Sequence, residues 1–190
     1  MKKTLILASA SPRRCEILKN VGIPFTVKVS DIDETLLYEM PAQIAVEYLA
    51  SLKNDAIKLA DDEIIVSADT VVAVDNKILG KPIDKADAFN MLKSLSNRTH
   101  SVYTGVKIRA KEKTSVFSVK TDVIFFDLTD EEIFKYIETN EPLDKAGSYG
   151  IQGKGAFFVK EIHGDYLNVV GLPLSRLCRE LKTFEGFTIE

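Results

Sequence analysis

The sequence predicts an α/β fold built around a mixed β-sheet. Segments with the apolar pattern of strands alternate along the chain with segments of helical periodicity, as in folds that layer helices on a sheet. Two long strand-like stretches, 101–109 and 115–127, follow one another across a charged turn at 111–113. We expect this pair to be antiparallel, because parallel strands need a longer crossover connection. The sheet is therefore not expected to be purely parallel.

Local start and stop signals place the individual elements. Ser11 is a suitable N-cap and Pro12 a suitable first residue for a helix that ends near Gly22. A long second helix begins at Pro41, and a capping-box pattern begins another at Thr129. The apolar face assigned to the second helix consists of Ile44, Tyr48, Leu49, Leu52, Ala56 and Leu59. The remaining predictions are strands at 4–8, 25–29, 63–68 with a continuation at 71–74, and 157–162, a hairpin turn at 75–76, a helix capped by Asp84, and a last helix at about 174–183.

The composition is that of an ordinary globular chain. Of its 190 residues 45% are hydrophobic, and the formal net charge is −3. This fits one domain over 1–190, whole or divided into two lobes by a cleft, with no separable boundary. No apolar run approaches the ~18 residues that a membrane span requires. Cys15 and Cys178 form no CxxC pair, so neither a disulfide framework nor a zinc site is expected, and a cytoplasmic location is the default.

The first candidate for chemistry is the start of the first helix. Ser9-Ala10-Ser11-Pro12-Arg13-Arg14 places two arginines in a turn where the helix dipole disfavours cations. A bound anion would compensate for that conflict, and backbone N–H groups, serine hydroxyls and guanidinium groups together suit a phosphate. The alternative is a pair of solvated arginines beside ordinary carboxylates.

Two acidic segments follow strands or interrupt them. Asp31-Ile32-Asp33-Glu34 comes just after a strand, where carboxylates suit Mg²⁺ bound through a triphosphate, although a solvated acidic turn gives the same pattern. Asp69 lies inside an otherwise apolar strand, and a buried carboxylate must meet a metal, an arginine or a lysine. Asp69 is therefore a candidate general base or metal ligand. The alternative is a strand break that leaves Asp69 exposed.

Three further residues are candidates for binding a nucleotide. Lys81 lies between Gly80 and Pro82, where a phosphate contact is possible although the spacing is not that of a P-loop. Lys53, on the polar edge of the second helix, is a weaker candidate because solvated lysines are common. The segment 144–155 contains four glycines and carries Gln152, whose amide can donate to and accept from a base edge at once. A bare hinge loop is the alternative for that segment.

Taken in order, these motifs resemble those of the Maf family over essentially the whole chain. The resemblance extends from the helix start at Ser9 to the segment 164–173 near the end. The matching motifs are 9–14, 31–34, Ser67-Ala68-Asp69-Thr70-Val71-Val72, Gly80-Lys81-Pro82, 98–105, 144–153 and 164–173.

The resemblance implies a fold, a reaction and partners. The fold would be a strongly twisted, mixed central sheet flanked by helices, with two lobes around a cleft, similar to inosine triphosphatases. The reaction would be hydrolysis between the α- and β-phosphates of a nucleoside triphosphate, with a divalent cation, Mg²⁺ or Mn²⁺. Members of the family are often homodimers, so a homodimer is expected. Neither a membrane nor polymeric nucleic acid is expected as a partner. The slight acidity of the chain also disfavours binding to nucleic acid.

The resemblance also implies roles for individual residues. Asp69 is similar to the family's proton acceptor, which activates water, and Glu34 to a metal-site carboxylate; Asp69 is the second expected metal ligand. The phosphate contacts implied are Ser9, Arg13, Arg14, Lys53 and Lys81, of which Lys81 is also expected to be catalytic.

Base choice in the family is associated with the positions of Arg13, Thr70 and Gln152. Thr70 and Gln152 are similar to the branch that acts on dTTP and UTP, since a neutral amide pairs with the O4/N3–H edge of these bases. Two alternatives stay open: a 7-methyl-GTP or broad-range pyrophosphatase, and a nucleotide-responsive regulator of septum formation.

Overall fold

The computed structural model describes residues 3–29, 32 and 40–188, and within them seven strands and six α-helices are formed. The strands are β1 (Thr4–Leu7), β2 (Thr26–Val27), β3 (Glu63–Val74), β4 (Lys77–Leu79), β5 (Thr99–Arg109), β6 (Thr114–Phe125) and β7 (Val159–His163). The helices are α1 (Pro12–Asn20), α2 (Ala42–Asp55), α3 (Lys85–Leu95), α4 (Asp130–Ile137), α5 (Tyr166–Val170) and α6 (Leu174–Leu181). Three 3₁₀ turns occupy Glu141–Asp144, Ala146–Ser148 and Lys154–Phe158.

The strands form one mixed sheet, as the sequence predicts. Its order is β2-β1-β3-β5-β6-β7, with β4 paired to β3 beside that path. β1 is parallel to β2 and β3, whereas the long β3, β5, β6 series and β7 pair antiparallel. The predicted α/β class and the antiparallel pairing of the two long stretches are confirmed. That the chain is a single domain without a separable boundary stays a prediction.

Strand β3 runs through the centre of the sheet. The predicted stretches 63–68 and 71–74 are one unbroken strand, and almost all of its side chains are buried, as expected for a strand covered on both faces. It pairs with β5 over nine residues, and this register sets Asp69 opposite Gly105. The candidate carboxylate therefore stands on a rigid element rather than at a strand break.

Helix α2 packs on β3 and β5 with a face that differs from the predicted one. Ile44 and Tyr48, assigned to the buried face, are 49% and 40% exposed. The physical reason lies at Gly105, where an added Cβ would meet the backbone carbonyl of Val46 and come within 2.7 Å of the Glu47 nitrogen. Helix and strand backbones approach so closely that small or slender side chains must face the sheet. The buried positions are Ala45, Val46, Leu49, Ala50 and Asn54.

The last turns of α2 are fixed to the sheet by buried hydrogen bonds. The Asn54 amide donates to the carbonyl oxygens of Ile65 and Lys107, each at 3.1 Å. The Ser67 hydroxyl donates to the Ala50 carbonyl at 2.6 Å. Because buried polar groups are costly to leave unpaired, these bonds fix the rotation of the helix about its axis. Residue 53, beside Asn54, is thereby held over the centre of β3.

Several local predictions are confirmed, and others are shifted. Asp75 and Asn76 adopt left-handed φ angles of 50° and 61° in the hairpin between β3 and β4, and Thr129 forms the predicted capping box. The predicted strand at 157–162 begins at residue 159, because residues up to Phe158 form a 3₁₀ turn. Helix α5 was not predicted, since its five residues are too few to show helical periodicity.

The cysteines and the helix lengths complete the description of the fold. Cys15 and Cys178 are free thiols. None of the helices in the described part of the chain has the length and apolar character needed to cross a membrane.

Gly105→Ala should destabilise the protein. The added methyl group would overlap backbone atoms of α2, and overpacking of this kind costs about 1–3 kcal/mol. Urea unfolding measures the change in the free energy of unfolding. Gly80→Ala is the matched control, because a Cβ at Gly80 meets no atom within 4 Å. Equal stability of the two variants would show that α2 does not approach β5 as described.

Candidate active site

A cleft of about 630 Å³ opens where the end of β1, the start of α1, the middle of β3 and the segment 141–153 meet. Its walls bring together eight of the nine predicted site residues, which lie far apart in the sequence. They are Ser9, Arg13, Arg14, Lys53, Asp69, Thr70, Lys81 and Gln152. The ninth, Glu34, lies outside the described residues, as do Asp31 and Asp33 of the same motif. The roles assigned to these residues stay predictions, whereas their meeting in one cleft is observed.

Arg14 is built into the wall of the cleft. Its guanidinium group donates to the Gly171 carbonyl at 2.8 Å and to the Ser9 hydroxyl at 3.0 Å. A third bond, of 3.2 Å, runs to the Thr70 hydroxyl. The residue is only 9% exposed, so it is not one of the solvated arginines that the sequence left possible. A guanidinium group held in this way is a preorganised donor, because its rotamer is fixed before any ligand arrives.

A chain of hydroxyl groups continues inward from Thr70. The Thr70 and Thr104 hydroxyl oxygens are 2.9 Å apart, and the Thr104 hydroxyl donates to the Asn168 carbonyl at 2.9 Å. A hydroxyl has one proton. Both bonds form together only if Thr70 donates to Thr104, while Thr70 accepts from Arg14. The Thr70 oxygen therefore presents an acceptor, not a donor, to a ligand in the cleft.

Asp69 is paired with Lys53. The Lys53 ammonium lies 2.5 Å from Asp69 Oδ1, and Asp69 is 8% exposed. The lysine comes from α2 and the carboxylate from β3, so the pair depends on the close packing of the two elements. The alternative of an exposed aspartate at a strand break is thus excluded, and one carboxylate oxygen stays available beside the bridge.

The two other predicted cations lie on more exposed walls. Lys81 follows β4 and is exposed, and the adjacent Gly80 carbonyl accepts from the Gly147 N–H at 3.0 Å. Gly147 has a left-handed φ of 67°, and a Cβ there would lie 2.8 Å from the Val72 side chain, so the contact requires glycine. Arg13 is half-exposed and lies 3.9 Å from the Asp144 carboxylate. Together these contacts hold the segment 144–153 against the cationic side of the cleft.

Sequence reasoning missed three residues of the wall: Glu141, Lys145 and Tyr149. Lys145 and Tyr149 lie in the glycine-rich segment that the sequence did single out, but neither stood apart from it by residue type. Glu141 lies in the sequence just before that segment. No residue type in the sequence marks it, because two of its partners are the backbone N–H groups of Lys154 and Gly155, 13 and 14 positions further on.

One wall is closed by a buried aromatic cluster. His100 Nε2 lies 2.8 Å from the Tyr149 hydroxyl, and both rings pack edge-on against Phe125. Burial lowers the pKa of His100 to about 4, although the charge of Asp122 acts in the opposite direction. Burial also raises the pKa of Tyr149. Both groups are therefore neutral near pH 7, and the aromatic cluster itself adds no charge to the cleft.

Fold and site together define an α/β protein with a cationic cleft around one buried carboxylate. A HAM1 protein from Coxiella burnetii shares this fold, with a TM-score of 0.52 over 96% of this chain and all of that one, at 13% sequence identity. The family described as Maf-like protein matches residues 4–184, and the chain belongs to it.

Close relatives carry a functional name. Proteins named dTTP/UTP pyrophosphatase from Bacillus cytotoxicus and Bacillus cereus are 53% and 52% identical to this chain. The first alignment covers 97% of this chain and 97% of the relative. The second covers 96% of this chain and 90% of the relative. The resemblance to the Maf family seen in the motifs is thus confirmed over residues 4–184.

The free energy of unfolding should depend on His100 between pH 6.5 and 4. Folding lowers the pKa of this imidazole from 6.5 to about 4, so within that window the unfolded chain binds a proton that the folded protein does not. Stability should fall as the pH drops through 6.5, with a loss of about 2 kcal/mol at pH 5 from this group. Urea unfolding at pH 7 and pH 5 measures the difference.

His100→Gln should reduce that difference between the two pH values. His163→Gln is the control, because it removes the other histidine of the chain, whose side chain is exposed. An unchanged pH dependence in His100→Gln would show that His100 takes up its proton without opening the structure.

Proposed function

We propose that this chain hydrolyses dTTP and UTP to the nucleoside monophosphate and pyrophosphate. The observation that carries the proposal is the buried Asp69 carboxylate within a cleft lined by Arg13, Arg14, Lys53 and Lys81. A triphosphate needs cations from more than one side, and hydrolysis needs a base near its α-phosphorus. The names of the close relatives give the same reaction and the same two nucleotides.

The cations divide into fixed and exposed contacts. Arg14 is fixed by its bonds to Gly171, Ser9 and Thr70, so its charge is in place before the substrate binds. Lys81 and Arg13 are more exposed and suit the outer phosphates. In this arrangement charge that develops on the departing pyrophosphate is met by groups that need little reorganisation.

Asp69 is the proton acceptor in the proposed mechanism. A water oxygen attacks the α-phosphorus in line with the bridging oxygen to the β-phosphate, that P–O bond breaks, and pyrophosphate leaves. Asp69 takes the proton of the attacking water. Lys53 holds Asp69 Oδ1 and so orients the second carboxylate oxygen for the water.

The donor set also fits a divalent cation. Asp69 offers a hard oxygen ligand in the cleft, and Mg²⁺ bound through a triphosphate needs only one or two protein carboxylates. Glu34 is the second ligand that we propose, on the family resemblance alone. A bound cation would supply charge neutralisation on the phosphates and a lower pKa for a bound water.

Three residues are proposed to select the base. Gln152 is exposed on the cleft wall, where its amide can pair with the O4 and N3–H of uracil or thymine. Thr70 presents an acceptor, which also suits the N3–H group. Arg13 lies 3.9 Å from the carboxylate of Asp144, in the segment that carries Gln152, so it is near the proposed base end as well as the phosphate side. We further propose a cytoplasmic homodimer, as expected from the cysteine usage and the family resemblance.

Asp69→Asn should lower kcat by about 10²–10⁴-fold, because the amide is not a base. Steady-state release of pyrophosphate from dTTP measures the change. Asp61→Asn is the matched control: Asp61 is exposed, pairs with Lys111 at 3.1 Å, and lies outside the cleft. Turnover in Asp69→Asn close to that of the control would remove Asp69 from its role.

The purified protein should convert dTTP and UTP, and not CTP, ATP, GTP or 7-methyl-GTP, in the presence of Mg²⁺ or Mn²⁺. EDTA should abolish turnover. Chromatography of the products checks both expectations. Preferential turnover of 7-methyl-GTP would overturn the base assignment, and binding without any turnover would favour the regulatory alternative.

A further inference from the structure

Glu141 occupies the concave side of the turn that carries Gln152. Its Oε2 atom accepts from the Lys154 N–H at 3.0 Å, and its Oε1 atom accepts from the Gly155 N–H at 3.4 Å. Two successive backbone donors on the far side of Gln152 therefore point at one carboxylate. Hydrogen bonds to an ionised acceptor are stronger than neutral ones, so this contact fixes where the turn ends.

Tyr136 extends the same contact to the near side of the turn. Its hydroxyl donates to Glu141 Oε1 at 2.9 Å and accepts from the Gly150 N–H at 3.0 Å. The turn then closes on itself, with the Gly153 N–H donating to the Gly150 carbonyl at 3.2 Å. Both ends of the segment that presents Gln152 are thus held by one carboxylate and one hydroxyl.

The glycine at position 153 is explained by this carboxylate. A Cβ there would lie 2.6 Å from Glu141 Oε2 and still closer to Oε1. The backbone therefore lies directly on the carboxylate, which leaves no room for a side chain. Such close packing restricts the turn to one position and with it the direction from which Gln152 enters the cleft.

The charge of Glu141 also needs an explanation, because carboxylates in the wall of the cleft, of which Asp144 is another, oppose the binding of a triphosphate. The cations that we assign to phosphate alone are Arg14, Lys53 and Lys81, whereas Glu141 lies just before the glycine-rich segment and contacts the turn that carries Gln152. A negative charge is tolerated there if that end of the cleft receives the uncharged base. Both the position and the charge of Glu141 therefore place it at the end of the cleft that we assign to the base.

We propose that Glu141 is a positioning residue for base selection, which holds the Gln152 turn in the geometry that recognises uracil and thymine. The inference rests on the proposed function. Glu141 acts through the turn and through Gln152, and it does not itself read the base. Specificity thus depends on the contact of Glu141 with the backbone of the turn as well as on the residue that faces the substrate.

The test is a double-mutant cycle of Glu141→Gln and Gln152→Ala. Glu141→Gln should lower kcat/KM for dTTP and UTP by about ten-fold, since it removes a charged acceptor. Most of this loss should appear as a higher KM, and the preference for UTP over CTP should fall. In the Gln152→Ala background the same change should add less than about two-fold, because the two residues act as one unit.

Two further variants keep the test decisive. Glu138→Gln is the control, since Glu138 lies three residues earlier, is exposed and pairs with Lys85. Tyr136→Phe replaces the test if Glu141→Gln fails to fold. It removes the bridging hydroxyl and should also lower the preference for UTP over CTP. Urea unfolding of each variant separates selectivity from stability.

The outcomes are distinguishable. Wild-type protein without triphosphate turnover overturns the proposed function and this inference with it. Active wild-type protein whose Glu141→Gln variant loses turnover of all triphosphates by one factor overturns the inference alone. Multiplicative effects of Glu141→Gln and Gln152→Ala on the UTP to CTP preference also overturn it.

Discussion

The ion pair between Lys53 and Asp69 joins a helix to the central strand, and the rest of the site is arranged around that joint. A carboxylate in an apolar strand is stable only with a partner, and here the partner arrives on α2. The helix can reach the strand because Gly105, opposite Asp69, leaves its backbone uncovered. The bonds of Asn54 and Ser67 then fix the helix in rotation. One glycine in β5 thus positions a charge on a different element.

The walls of the cleft differ in how firmly they are held. Arg14 is bonded into the protein on three sides, and the turn around Gln152 rests on a carboxylate and a hydroxyl. Lys81 is exposed and Arg13 is half-exposed, so both can adjust more readily than Arg14 to a flexible phosphate chain. The division matches the two parts of a nucleotide. A rigid planar base binds best in a preorganised pocket, whereas a flexible triphosphate is bound by cations whose side chains can adjust to it.

The sequence predicted what local chemistry determines. Caps, turns and the run of apolar residues in β3 depend on near neighbours, so the capping box at Thr129 and the hairpin at Asp75 were correct. The predicted buried face of α2 was right at Leu49 and wrong at Ile44 and Tyr48, because that face is set by Gly105 on a distant strand. Glu141 was missed for another reason: it accepts from the backbone N–H groups of Lys154 and Gly155, and backbone groups leave no mark on the sequence. Glu34, predicted as a metal ligand, lies outside the described residues.

The bond from Arg14 to the Gly171 carbonyl spans 157 positions of the chain. During synthesis the first helix leaves the ribosome long before α5 exists, so the arginine cannot take its final position until the chain is nearly complete. Contacts of such long sequence separation form late, because closing the loop between them costs entropy. A chain that stopped before residue 171 would lack the acceptor of Arg14 Nε, although its Ser9 and Thr70 partners would be present.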